Sequence, residues 1–297
     1  MSPSSAGPAF LADVPVWFLL VFAGISGAVI GSFLNVCIHR MPRGVSVVTP
    51  RSNCPRCHTM IPWYHDVPVV SWFLLRGRGA CCGAPISPRY PFIEALTAGT
   101  AVFVTWQTGA TIETLARFFF LAGLIVLFFT DLDLRLLPNK VTIPWTFAGL
   151  ALAFVRPAPS PISAIAAAAI GYGVLFAIAQ FWRYWRGIEA VGGGDIKMLA
   201  MMGAFLGVTP LFIALFVASC FGAIAGCGIA GLYALRRVGP VSRRGRFAGR
   251  SAMENAAALF GRGLRRKAVP FGCFLATGSV VALFFGERIA GWYLSRL

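Results

Sequence analysis

The stretch Leu115-Ala-Arg-Phe-Phe-Phe-Leu-Ala-Gly-Leu-Ile-Val-Leu-Phe-Phe-Thr130 runs directly into Asp131-Leu-Asp133. It is too apolar for a water-facing helix, and its length suits the hydrocarbon of a bilayer. Working outward, comparable runs lie at 16–38, 90–106, 141–155, 161–181, 196–208, 211–235 and 268–285, with Gly, Pro or Arg at the breaks. Thr209-Pro210 is expected to break the chain between the sixth and seventh runs. The pattern predicts an all-α polytopic membrane protein of about eight transmembrane helices. Composition agrees: 58% of the 297 residues are apolar and 12% charged, against about 25% charged in soluble domains. This excludes a disordered chain and argues against an ordinary cytosolic enzyme.

Three regions follow: 1–38, a tail and first helix; 39–89, a small polar Cys-containing domain; and 90–297, a seven-helix membrane domain with an Arg-rich loop at 236–267. Residues 1–14 contain no Lys or Arg, so they lack the basic start of a cleavable signal peptide and read as a non-cytoplasmic tail. The chain carries 26 Lys and Arg against 10 Asp and Glu, a net charge of +16. Alternating sides from an outside N-terminus places 22 of those 26 basic residues in four cytoplasmic loops, leaving Arg117, Arg156, Arg288 and Arg296. The positive-inside rule therefore accounts for the charge with both termini periplasmic. No nucleic acid is needed; membrane lipid is the expected partner of the 236–267 loop.

Acidic residues are scarce, and Asp131, Asp133 and Asp195 all stand at span ends on the cytoplasmic side. Ionisable groups at membrane depth are costly and point to function. Asp131 and Asp133 are two apart, so at most one faces the bundle easily. Asp195 follows Gly192-Gly193-Gly194, and Lys197 lies two residues on. An Asp at a helix start is also an ordinary cap, but three glycines are a costly way to build one and favour a shaped site. If Asp131 and Asp195 face each other, the two carboxyls share one proton, as in aspartic proteases. One then takes a proton from water while the other polarises a carbonyl. A proton-coupled transporter could use the same acids, although transport sites lie nearer the midplane. A non-catalytic scaffold is the third reading.

A second constellation is Cys54-Pro-Arg-Cys57 followed by Cys81-Cys82. In a reducing cytoplasm two such clusters suggest zinc rather than disulfides. The first pair has ligand spacing. Adjacent cysteines rarely bind one tetrahedral ion together, so His58 or His65 is an alternative fourth ligand.

Several segments together resemble the prepilin peptidases, the type IV leader peptidases. They are Gly31-Ser-Phe-Leu-Asn35 with His39-Arg40, Cys54-Pro-Arg-Cys57, Ile61-Pro-Trp-Tyr-His-Asp66-Val-Pro68, Arg76-Gly-Arg78, Gly83-Ala-Pro-Ile-Ser-Pro-Arg89-Tyr-Pro91 with Glu94, Asp131-Leu-Asp133-Leu-Arg-Leu-Leu-Pro138-Asn, and Gly192-Gly-Gly-Asp195-Ile-Lys197. The resemblance covers nearly the whole chain. It implies an eight-span aspartic endopeptidase of the bacterial inner membrane. Such an enzyme removes the basic leader of type IV prepilins or pseudopilins on the cytoplasmic face, after a glycine. Often it then methylates the new N-terminus with S-adenosylmethionine. Transferred residue by residue, Asp131, seven positions before Pro138, and Asp195 are the catalytic pair, and Asp133 is a bystander. Gly192, Gly193, Gly194, Lys197 and Pro138 shape the site, and Asp66, Arg76, Arg78, Arg89 and Glu94 are candidate methyltransferase or leader contacts. In one departure, Gly79 stands where the family's third cysteine is expected. Either Cys81 replaces it through a shifted loop, or the zinc site is lost.

Overall fold

The computed structural model describes residues 14–49, 53–54, 56–57, 59–189, 191–243 and 270–296. Most of the N-terminal tail, His58 and the greater part of the 236–267 loop lie outside the described residues. Among the described residues the protein is helical, with no strand beyond two isolated bridges. In chain order the helices are α1 (Val16–Arg40), α2 (Val70–Leu74), α3 (Arg89–Thr108), α4 (Ile112–Leu134), α5 (Asn139–Leu152), α6 (Pro161–Arg186), α7 (Gly193–Leu206), α8 (Val208–Arg243) and α9 (Phe271–Leu294).

Among the described residues, five stretches are long and apolar enough to cross a membrane: Val16–Arg43, Ile112–Leu134, Pro161–Arg186, Val208–Ile229 and Phe271–Leu294. The class is the expected one, but by length and composition the count is five rather than eight. The difference has a physical reason. Helices α5 and α7 have 14 residues each, or about 21 Å at 1.5 Å per residue, short of the ~30 Å hydrocarbon core, and α3 has 20 residues but is not apolar enough.

Helix α7 lies at the centre, with Ile196 and Met198–Leu206 all buried. Helices α5 and α6 pack against it, α1 packs on α3, and α9 packs on α8 and α4. Missing side chains permit the closest approaches. A Cβ on Gly31 would lie 2.8 Å from the Glu94 Cα, and one on Gly203 would collide with the Ala167 carbonyl oxygen. On α8, Gly226, Gly228 and Gly231 face open space, and Gly222 meets Phe274 only at an ordinary 3.5 Å.

The break after α7 falls at Gly207, in the left-handed region at φ 80°, and not at Thr209-Pro210. Pro210 sits in the first turn of α8, where no intrahelical N–H bond is required of it. At the start of α4, Thr111 caps the helix through Thr114, and Glu113 lies in its first turn. Glu113 binds the Arg156 Nε at 2.8 Å and the Arg117 Nε at 2.6 Å. Two of the four basic residues outside the polar loops are thus paired. The Arg156 Nη1 also donates to the Phe205 carbonyl oxygen at 3.5 Å, near the C-terminus of α7, where positive charge is favoured.

Candidate active site

Asp131 falls inside the last turn of α4 rather than just beyond it, and is 5% exposed. The first turn of α9 meets it there. The first N–H groups of a helix have no partner within it, and the Cys273 N–H donates to the Asp131 Oδ2 at 3.0 Å. A Cβ on Gly272 would stand 2.8 Å from the same oxygen. The Cys273 thiol in turn donates to the Phe128 carbonyl oxygen at 3.3 Å.

Asp195 occupies the first turn of α7. Gly192 is the N-cap, and Gly193 and Gly194 are already helical. The Asp195 N–H donates to the Gly192 carbonyl oxygen at 3.1 Å, and its carboxylate folds back so that the Gly192 Cβ position is 3.0 Å from Oδ2. The glycines thus do two jobs: Gly192 leaves room for the carboxylate, and Gly194 leaves room for Leu137. A Cβ on Gly194 would be 2.8 Å from the Leu137 Cβ, and one on Gly272 would be 3.2 Å from the Leu137 Cδ1. One leucine therefore packs against both helix starts. Asp131 and Asp195 are thus linked through the packing of Leu137, which meets the glycine beside each. Pro138 is the N-cap of α5, and the Lys197 Nζ donates to the Asn139 Oδ1 at 2.9 Å, tying α7 to the turn that presents Leu137.

Asp131, Asp195, Gly192–Gly194, Pro138 and Lys197 therefore meet at one end of the bundle. Were the two carboxyls to face each other, they would hold one proton between them, one serving as base toward water and the other as acid toward a carbonyl. Gly272, Cys273, Leu137 and Asn139 complete the site. Sequence reasoning did not single them out, although Leu137 and Asn139 both lie within a quoted motif.

The remaining candidates are elsewhere. Arg89 binds Asp133, its Nη1 reaching the two carboxylate oxygens at 2.7 and 2.6 Å. Glu94 is buried and accepts the Val69 N–H at 2.7 Å. Asp66, Arg76 and Arg78 are exposed on the Cys-containing domain.

That domain is built from two knuckles. The bridge Asn53↔Met60 brackets Cys54 and Cys57, and Arg78↔Pro85 brackets Cys81 and Cys82. The four sulfurs all lie within 4.8 Å of one another, with Cys54 and Cys82 at 3.7 Å and Cys57 and Cys81 at 3.1 Å. Zinc held at about 2.3 Å by four thiolates places neighbouring sulfurs about 3.8 Å apart, so the donor set fits that ion. The adjacent cysteines converge after all, because each pairs with a different sulfur of the first knuckle. A Cβ on Gly79 would be 4.0 Å from the Cys81 Sγ, so Cys81 brings its sulfur to where a residue-79 side chain would point. Backbone N–H groups of Cys57 and Arg56 hold the Cys54 thiol below its usual range. Hydrogen bonds from the Thr59 side chain and backbone bring Cys57 down to about 6. Its hydrogen-bonded neighbour Cys81 is pushed up to about 12.

Comparison with known proteins supplies the context. Residues 25–108 match the bacterial peptidase A24 N-terminal domain, and residues 118–227 match the type IV leader peptidase family. A prepilin leader peptidase/N-methyltransferase of Aeromonas hydrophila is 34% identical over 304 residues, 94% of each chain. Proteins of the same name from Myxococcus xanthus and Neisseria gonorrhoeae are 40% identical over 222 residues and 34% over 232. Those matches span 74% of this chain and 65% of the Myxococcus protein, and 70% and 81% for the Neisseria protein. No solved structure matches. With this sequence likeness spanning both the Cys-containing region and the helices that bear the two aspartates, the chain is a peptidase and belongs to the type IV leader peptidase family.

Proposed function

We propose that Asp131 and Asp195 are the catalytic dyad of a membrane aspartic endopeptidase acting on type IV prepilins or pseudopilins. One observation supports this above the rest: the two scarce carboxylates stand at the starts of α9 and α7, with Leu137 packed against the glycine beside each. The ionised carboxylate takes a proton from water as the water oxygen bonds to the scissile carbonyl carbon. The protonated carboxyl gives its proton to the carbonyl oxygen. Collapse of the tetrahedral intermediate breaks the C–N bond: the departing amine takes a proton from one carboxyl of the dyad, and a hydroxyl of the intermediate returns its proton to the other, restoring the single shared proton.

Cleavage follows a glycine on the cytoplasmic face of the bacterial inner membrane, where the end of a membrane-held precursor helix reaches the dyad. Among the acids proposed to meet the basic leader, Asp66 is exposed, whereas Glu94 is taken up by the Val69 N–H. Cys54, Cys57, Cys81 and Cys82 would hold a zinc ion, which supplies a structural crosslink between the knuckles. We further propose that the new amino terminus is methylated, with S-adenosylmethionine as the methyl donor.

The test is mass spectrometry of a prepilin-type precursor co-expressed with the protein. Asp131→Asn and Asp195→Asn are expected to lower cleavage at least about a thousandfold while the protein still inserts. A normal rate in either variant overturns the dyad. The same spectra show whether the mature product carries an added methyl group. An intact precursor together with solute flux in proteoliposomes would favour the transporter instead.

A further inference from the structure

Arg89 is the first residue of α3, and it grips α4 on both sides of Asp131. Its Nη1 lies 2.7 and 2.6 Å from the oxygens of Asp133, two residues after Asp131. Its Nη2 donates to the carbonyl oxygen of Phe129, two residues before, at 3.4 Å. The guanidinium also lies over the Phe129 ring, 4.7 Å from its centroid. The last turn of a helix is its least supported part, because its final carbonyls lack helical partners. Here the turn ends with Arg135 in the left-handed region at φ 54°. What holds that turn decides where the Asp131 carboxylate stands.

The other side of Arg89 leads into the Cys-containing domain. The chain reaches it from Cys82 through a short segment fixed by backbone bonds. The Ile86 N–H donates to the Gly77 carbonyl oxygen at 2.7 Å, and the Trp72 Nε1 donates to the Ile86 carbonyl oxygen at 3.1 Å. The second knuckle is thus tied to Arg89, and Arg89 to the turn that carries Asp131. Resting on the dyad reading above, we propose that Arg89 and Asp133 are positioning residues for cleavage, forming the joint through which the Cys-containing domain fixes the Asp131 carboxylate. The pair is part-exposed, 33% for Arg89 and 38% for Asp133. Such a pair contributes little to stability, so its loss should be read in geometry and not in folding.

The experiment uses the full chain in lipid vesicles with a prepilin-type precursor. It compares the parent with Arg89→Gln, Asp133→Asn, Asp133→Glu and the double variant Arg89→Gln/Asp133→Asn, with membrane abundance measured for each. Both single variants are expected at normal abundance, with kcat lowered about tenfold, since small misplacements of a reacting group are costly, and KM unchanged. The double variant should be no worse than the weaker single, because the pair acts as one unit, and Asp133→Glu should keep most of the parent rate. Parent rates in both single variants, a change in KM alone, or losses that multiply would overturn the inference. A parent protein that leaves the precursor intact would instead sink the dyad reading, and this inference with it.

Discussion

A methyl group at position 272 would stand 2.8 Å from the Oδ2 of Asp131. That oxygen is the end of a side chain and can swing away, so the helix need not move. Gly272→Ala is therefore expected to leave membrane abundance unchanged and to slow precursor cleavage by about tenfold or more, since the displaced carboxylate loses its alignment. Single-turnover kinetics on purified protein would show it; an unchanged rate would mean that the Asp131 rotamer is not critical. The contrast with Asp131 and Asp195 shows what sequence can reveal. Those two stand out because acids are few and because one follows three glycines. Cys273 could not be found that way. Its contribution is a backbone N–H, which every non-proline residue has, and its partner is 142 residues away.

At the scale of elements, apolar runs announced each long helix, but helix ends were less legible. Burial of α7 depends on its neighbours rather than on its own length, so a short run there looked like a weak span. Pro210 looked like a break because proline removes a donor, yet a first turn has donors to spare. The knuckles show the same limit. Adjacent Cys81 and Cys82 look unable to share an ion, and only the fold shows that one faces Cys57 and the other Cys54. For the metal site the expected direction with pH is clear. The Cys57 thiol, at about 6, lies below its ordinary value, so the thiolate is present above that pH and is lost as the pH falls through it. Protons compete with zinc for all four thiolates, so zinc content measured after equilibration should fall as the pH is lowered; Cys57→Ser should lower it at every pH. Zinc content unchanged in Cys57→Ser would remove Cys57 from the ligand set.

For the whole molecule, the pairing of Glu113 with Arg156 joins the start of α4, the segment after α5 and the end of α7. The Arg156 side chain is 3% exposed and that of Glu113 15%. Removing one partner of a buried pair strands the other charge, so Arg156→Met is expected to cost about 3 kcal/mol of stability, with Arg117 still beside Glu113 to limit the loss. Thermal unfolding in detergent would show it, and an unchanged midpoint would mean that Glu113 is neutralised in another way. None of this coupling could be read from the chain order, where Arg156 looked like an isolated exception to a charge rule.

The shortness of α7 has a last consequence. A helix about 21 Å long cannot reach both faces of a bilayer ~30 Å thick. Were its far end, beside Arg156 and Glu113, to sit at one edge of the hydrocarbon, its near end, which bears Asp195, would stop about 9 Å short of the other. The bilayer would then dimple there, or water would pool above the carboxylate. In either case the solvent a hydrolase consumes would be delivered into a recess that surrounding lipid would otherwise keep dry.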